Sequence, residues 1–198
     1  WDLHLTRASS QVTVGPKLNM ISLSVSGQRN YNLRVEGNFG PAISVGGSNI
    51  EAYGLEVANN RDNQMRIVNA NDFYWFGGLL DEASGNLNFL SLENAKRIVL
   101  EGLRVISSAG TASNAIKVDG TSSVVLIGTT IFGGSLATGD GLDVAAGGEA
   151  RILASRFEHI HATGFAINNA GTGYDLGGNV IDAGKYNGTA RITEFGGT

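Results

Sequence analysis

The chain has 198 residues, of which 42% are hydrophobic and 16% charged, with 29 glycines, two prolines and no cysteine. Collagen is excluded because its triple helix needs glycine at every third position and abundant proline, and a disulfide scaffold is excluded because cysteine is absent. The formal net charge of −4, with basic residues scattered along the chain, argues against a nucleic-acid partner, and no apolar run has the length of a membrane-spanning helix.

Short apolar–polar–apolar triplets recur along the chain every 22 to 26 residues. Their first residue is always apolar, and this period-two alternation is typical of a strand with one buried face. A repeat of this length predicts a solenoid in which each coil stacks on the one before. The triplets begin at Ile21, Ile43, Met65, Leu90, Ile116, Leu142, Ile167 and Ile192.

A second apolar block follows each triplet after a turn of small residues, as in Tyr53 to Val57. Two strand blocks and a third, more variable stretch therefore fill each coil. Segment 87–106 taken alone also fits an amphipathic helix, but its agreement in phase with the other coils favours strands. A leucine-rich repeat has a similar period, but it needs Asn or Cys three places after its last leucine, where this chain has small residues.

The segment from Ile43 to Val57, which reads ISVGGSNIEAYGLEV, resembles the coils of the pectate-lyase-like right-handed parallel β-helix superfamily. The resemblance extends from about residue 18 to 195. It implies an all-β fold, a single-stranded right-handed parallel β-helix of about seven coils with 22–26 residues each. We expect residues 1–198 to form one domain of a longer protein, with a lead-in coil or cap at 1–17 and regular coils at 18–195.

Within this superfamily the short coils, small turns and lack of cysteine look most like the β-helices of phage tail spikes and tail fibres. The resemblance implies a virion-surface or extracellular protein, a homotrimer that contacts host surface polysaccharide without entering a membrane. A polysaccharide hydrolase or lyase, and a purely structural shaft segment, are the alternatives. The best-known site patterns of the superfamily do not occur in this sequence, so catalysis is left open. No cofactor and no metal are expected.

The outward residues of the triplets form a predicted column along one face of the solenoid. In this column Lys117, Asp143 and Asn168 should be successive neighbours, with Asp119 and Asp140 beside them. Cleavage of polysaccharides commonly uses two carboxylates, and the three aspartates are therefore the candidate catalytic residues. Lys117 and Asn168 are candidate sugar contacts. The alternative is a solvated sheet face with a Lys–Asp pair.

Three further features supply candidate sugar contacts. Arg66 lies lower in the same column. His159 and His161 are two residues apart and share a face if they lie on a strand, although no third metal ligand follows at a recognisable spacing. Alternation also turns two residues of the aromatic run 73–76 outward, and we assign Tyr74 and Trp75 to sugar stacking. A subunit interface and a local cap on the core are the alternatives for this run.

Overall fold

The structure of the chain is a computed structural model that describes residues 3–6, 21–24, 26–36, 43–58, 64–81, 88–106, 114–132, 139–158, 163–182 and 185–188. The described residues contain no helix that could span a membrane. Their strands form one continuous parallel arrangement of stacked coils, a β-solenoid, which confirms the predicted fold class. The strands are β1 (Leu3–Thr6), β2 (Ile21–Leu23), β3 (Arg29–Tyr31), β4 (Leu33–Glu36), β5 (Ile43–Ala58), β6 (Met65–Asp81), β7 (Leu90–Glu93), β8 (Lys96–Ile106), β9 (Ile116–Val118), β10 (Ser123–Ile127), β11 (Thr130–Phe132), β12 (Leu142–Val144), β13 (Glu149–Leu153), β14 (Arg156–Glu158), β15 (Ile167–Asn169), β16 (Thr172–Asp175), β17 (Val180–Ile181) and β18 (Tyr186–Gly188).

Each coil has three faces, and every strand pairs in parallel with its equivalents in the neighbouring coils. The first face contains β2, the starts of β5 and β6, and β7, β9, β12, β15 and β18. The second contains β3, the middle of β5 and β6, the start of β8, and β10, β13 and β16. The third contains β1, β4, the ends of β5, β6 and β8, and β11, β14 and β17.

The triplets predicted from the sequence pair with one another on the first face. Their first residues form a ladder, meaning a series of residues paired in register from coil to coil. The rung that follows Ile167 is Tyr186, 19 residues further along the chain, whereas the sequence predicted Ile192, which lies outside the described residues. The ladder is Ile21, Ile43, Met65, Leu90, Ile116, Leu142, Ile167 and Tyr186.

The regular part of the solenoid makes about five turns, slightly fewer than the seven coils predicted. Shorter strands extend the ladders at both ends: β1 to β4 precede the long strands β5 and β6, and β15 to β18 follow the last regular coil. Segment 87–106 contains β7 and β8. The strand interpretation of that segment is confirmed, and the helical alternative is wrong.

The inward residues of the three faces form one hydrophobic core. In the aromatic run, Phe73 and Trp75 point inward and are fully buried, while Tyr74 and Phe76 are only partly covered. Trp75 pairs in its ladder with Ala52 on one side, and this small side chain leaves room for the indole ring. A large side chain paired with a small one on the adjacent rung allows the core to pack as densely as a crystal of small organic molecules.

The corner between the second and third faces bends at one equivalent residue in each of six coils, from Asn32 to Ala154. These residues have positive φ, a conformation that costs a residue with a Cβ about 1–2 kcal/mol. Glycine occupies most of these positions, and Ala154 is an exception, with φ of 48°. The single-residue bend keeps the two faces in register from coil to coil. The corner residues are Asn32, Gly54, Gly77, Gly102, Gly128 and Ala154.

Candidate functional site

The first face places a row of polar side chains on successive rungs, as the triplet spacing predicts. Lys117 pairs with Asp143, and Asp143 pairs with Asn168. Asn187 occupies the next rung, and its Nδ2 donates a hydrogen bond of 2.9 Å to Oδ1 of Asn168. Together with two residues beside the ladder, these side chains form what we call the polar strip. It consists of Asn114, Lys117, Asp140, Asp143, Asn168 and Asn187.

The carboxylates of Asp140 and Asp143 meet at a single amide group. Nδ2 of Asn168 lies 2.9 Å from Oδ2 of Asp140 and 3.3 Å from Oδ1 of Asp143. The second oxygen of each carboxylate also has a donor: the backbone N–H of Phe165 for Asp140, at 2.8 Å, and Nδ2 of Asn114 for Asp143, at 3.2 Å. Donors from the following coil therefore fix Asp140, and donors from the preceding and following coils fix Asp143.

The polar strip has a second row of side chains, which lie just before the chain enters each strand of the first face. Asn114 and Asp140 both lie two residues before an apolar triplet, so they occupy equivalent positions in successive coils. The backbone N–H of Asp140 donates to Oδ1 of Asn114 at 2.9 Å. Asn88 has the same offset one coil earlier, and its Nδ2 donates to Oγ of Ser91 at 3.1 Å. The strip is therefore two side chains wide over these coils.

The surroundings of Asp143 raise the pKa of its carboxyl above the ordinary value. Partial burial raises the pKa of this carboxyl, and the negative charge of Asp140 raises it further, while Lys117 acts in the opposite direction. Two carboxyl groups in one site, one of them with a raised pKa, are the arrangement in which one group can donate a proton while the other stays ionised. Asp140 and Asp143 provide two such neighbouring carboxyl groups, and the pKa of Asp143 is the raised one.

Asp119, the third predicted catalytic residue, lies at the other end of β9 and belongs to a corner. Its Oδ1 accepts hydrogen bonds from Oγ of Ser122 at 2.6 Å and from the backbone N–H of Thr121 at 2.9 Å, and its Oδ2 accepts one from the N–H of Asn94 at 3.0 Å. Partial burial raises the pKa of Asp119, but these donors outweigh it and hold the pKa below its usual value. Asp119 thus stabilises the turn and stands apart from the polar strip.

Arg66 occupies the predicted column but has a different partner. Its Nη2 lies 2.6 Å from Oε2 of Glu93 in an ion pair between neighbouring coils. Ser91, which is almost fully buried, lies on the rung between Arg66 and Lys117. The structure therefore does not bring Arg66 next to the carboxylates.

The aromatic residues require one correction. Trp75 is 0% exposed, so its ring cannot stack on a sugar, and its assignment as a sugar contact is wrong. The outward pair is Tyr74 and Phe76, whose ring centroids lie 6.4 Å apart. Phe76 stacks on Tyr53 at 5.0 Å, and Tyr53 stacks on Tyr31 at 4.9 Å. These rings form an aromatic column on the second face, away from the polar strip. His159 and His161 lie outside the described residues.

Sequence reasoning missed Asn114 and Asn187. The signal for Asn114 was its offset from the triplet, which equals that of Asp140. Asn187 had no such signal, because Tyr186 to Gly188 lacks the second apolar residue of a triplet.

In the part of the chain that the structure describes, no group of three or more His, Cys, Asp or Glu side chains is arranged to hold a metal ion. Comparison of the chain with protein-family models, with curated proteins and with solved structures found no match. The structure itself establishes that the chain is a parallel β-solenoid with a polar strip on its first face.

Proposed function

We propose that this chain is a β-helix domain of a virion or cell-surface protein, of the tail-spike or tail-fibre kind, that binds host surface polysaccharide through the polar strip. One observation carries the proposal: carboxylate and amide groups follow one another on rungs about 4.8 Å apart. A sugar hydroxyl both donates and accepts hydrogen bonds, and a polymer lying along the ladder would meet a new polar group at every rung.

The strip retains the capacity to bind a ligand while its own side chains are held in place. An ionised carboxylate has about four acceptor positions, and each oxygen of Asp143 accepts one hydrogen bond from the strip. The exposed Lys117 supplies donors of its own. Because the hydrogen bonds between coils already order Asp143 and Asn168, little side-chain entropy is left to lose on binding.

A matched pair of lysine variants tests the binding proposal. Lys117→Ala and Lys96→Ala remove the same charge from two exposed positions, of which only Lys117 lies in the strip. We expect Lys117→Ala to weaken binding to capsular or lipopolysaccharide fragments about tenfold, as for loss of one hydrogen bond from a charged group. Lys96→Ala should bind like the wild type. Equal affinities for both variants, or no binding by the wild type, would contradict the proposal.

A second candidate function is cleavage of the polysaccharide, and the raised pKa of Asp143 beside Asp140 favours it. In this reaction Asp143 would donate its proton to the glycosidic oxygen as the bond to the sugar carbon breaks. Asp140 would attack that carbon directly or remove a proton from the attacking water.

Size analysis of the polysaccharide after incubation tests the second candidate. Cleavage predicts shorter chains with the wild type and a loss of about a hundredfold or more in rate with Asp143→Asn, with binding retained. Unshortened chains would exclude cleavage, and binding alone would leave adhesion as the function. Absence of both would favour a shaft segment.

The tail-spike kind also implies a homotrimer, and this part of the proposal rests on the resemblance of the coils. Light scattering on the purified chain measures the assembled mass directly. A monomer at the concentrations used for binding would contradict the tail-spike assignment and leave the sugar-binding proposal to the lysine variants.

A further inference from the structure

A groove on the second face lies between two large outward residues of one ladder. Tyr74, Val99, Val125 and Arg151 occupy successive rungs, and the two short valines form a floor between the larger ends. The groove has a volume of about 230 Å³. This is below the ~300–1,000 Å³ of sites for drug-sized ligands, and it suits a single sugar ring. The lining residues include Tyr74, Arg97, Val99, Ser123, Glu149 and Arg151.

The two arginines of the groove have different contacts. Arg97 uses Nε and Nη2 to hold both oxygens of Asp72, at 2.5 and 2.6 Å. Arg151 contacts Glu149 through Nε only, at 2.8 Å. Among the described residues its terminal nitrogens make no hydrogen bond. A ligand that enters the groove would therefore find in Arg151 a guanidinium group with donors to spare.

Arg151 is also held in position by contacts on two sides. Its guanidinium carbon lies 5.3 Å from the ring centroid of Tyr174, within the range of a cation–π interaction. Glu149, the other charged group on this wall, is already paired with it. A guanidinium group whose position is fixed loses little freedom when it binds a planar anion, and a carboxylate matches its paired donors.

We propose that this groove binds a carboxylate-bearing sugar, a uronate, with its ring over Val99 and Val125 beside Tyr74 and its carboxylate on the terminal nitrogens of Arg151. This inference rests on the proposed function and names the class of its ligand: an acidic polysaccharide. A neutral sugar fits the apolar floor equally well, but it cannot make the charge-assisted hydrogen bonds that Arg151 offers. Charge on the sugar therefore decides affinity at this site.

Titration by NMR with methyl glucuronide and methyl glucoside tests the inference. The two sugars differ in the carboxylate alone, and the amide signals of Val99 and Val125 report on the groove. We expect the glucuronide to shift these signals with an affinity about tenfold higher than that of the glucoside. Arg151→Gln should reduce the glucuronide affinity to that of the glucoside, and Tyr74→Ala should weaken both sugars.

Arg156→Gln is the matched control for the change in charge. Arg156 is exposed to a similar extent, 57% against 52% for Arg151, and it too pairs with a glutamate two residues away, but it lies on the third face. The control should bind the glucuronide like the wild type. Equal affinity for the two sugars, an unchanged affinity in Arg151→Gln, or an equal loss in both arginine variants would overturn the inference.

The same titration separates this inference from the proposed function. Glucuronide shifts confined to the amides of Asp143 and Asn168 would overturn the groove and leave the polar strip as the sugar site. Groove shifts that persist in Lys117→Ala, combined with polysaccharide affinities unchanged by that variant, would support the groove and contradict binding at the strip.

Discussion

The first and second faces of the solenoid are built by the same parallel pairing from coil to coil but carry different outward side chains. On the first face, Asp143 and Asn168 are joined from coil to coil by side-chain hydrogen bonds. On the second, Tyr53 and Phe76 are joined by ring stacking, and in the ladder beside them a groove opens where Tyr74 is followed by Val99. The contrast shows that the backbone pairing sets where a side chain lies, whereas the identity of the outward residue sets which contacts it makes.

The largest effect is expected from changing neighbouring inward and outward residues of the second face. Trp75→Ala should lower the free energy of unfolding by about 3–5 kcal/mol, because it leaves a cavity beneath the face. Phe76→Ala removes an outward ring that stays partly solvated, and it should cost about 1.5 kcal/mol or less. Denaturant unfolding of both variants measures the difference. Equal losses would show that the outward aromatic column supports the fold as much as the core does.

The next effect concerns Asp119, at the corner between the two faces. Asp119→Ala should cost about 2 kcal/mol, because it leaves the donors of Asn94 and Thr121 without their acceptor. Since the pKa of Asp119 is lowered in the folded chain, its contribution is present above the unfolded value of about 3.9 and is lost as the pH falls below it. Denaturant unfolding at pH 7 and pH 3 should therefore show a smaller loss at pH 3. A loss that does not change with pH would contradict the role of the charged carboxylate.

A smaller pair of effects tests the corner that holds the second face against the third. Gly128→Ala introduces a Cβ at φ of 56° and should cost about 1 kcal/mol. Ala154→Gly relieves the same strain at φ of 48°, and after the added freedom of the unfolded chain it should gain about 0.5 kcal/mol. No atom lies within 4 Å of a Cβ placed on Gly128, so steric contact does not complicate the comparison. Changes of the same sign would show that backbone strain does not govern this corner.

The smallest effect is the pH dependence of the polar strip. Partial burial and Asp140 raise the pKa of Asp143 in the folded chain, so the folded state binds this proton more tightly than the unfolded state does. The contribution is complete below the unfolded pKa of about 3.9 and is lost as the pH rises through the raised value. The wild type should therefore lose stability above about pH 4 through this carboxyl, and Asp143→Asn should abolish that loss, which we expect to be the smallest of these effects. Denaturant midpoints between pH 4 and pH 7 measure it, and a wild-type stability that rises in this window faster than that of the variant would contradict the assignment.

The ladder of the first face is predicted well because the alternation of apolar and polar residues and the spacing of the triplets can both be read directly from the sequence. The same spacing predicts that Lys117, Asp143 and Asn168 are neighbours. It fails at Asp119, because the direction of that side chain is decided by turn donors. The segment Asp119-Gly-Thr-Ser122 did contain a signal for this, since Asp readily accepts hydrogen bonds from the backbone two residues further on.

The directions of the aromatic side chains and the groove could not be predicted from the sequence, for two different reasons. Alternation predicts that two residues of the run 73–76 face outward, but it does not say which two. Trp75 faces inward, in a ladder with the buried residues Ala52 and Leu100. The groove depends on the sizes of side chains in four coils at once. A short residue such as Val125 carries no local sign that its neighbours up and down the ladder are Tyr74 and Arg151.

The connections from the third face to the first differ in length far more than the corners do. Nine residues separate Ile106 from Ile116, whereas four separate Ile181 from Tyr186, and the ladder stays in register across both. Variation in coil length therefore enters along one edge of the solenoid, and this edge borders the polar strip. Changes in the length of these connections leave the pairing of Asp143 with Asn168 intact, so the fold can vary the sequence next to the proposed sugar site without repacking its core.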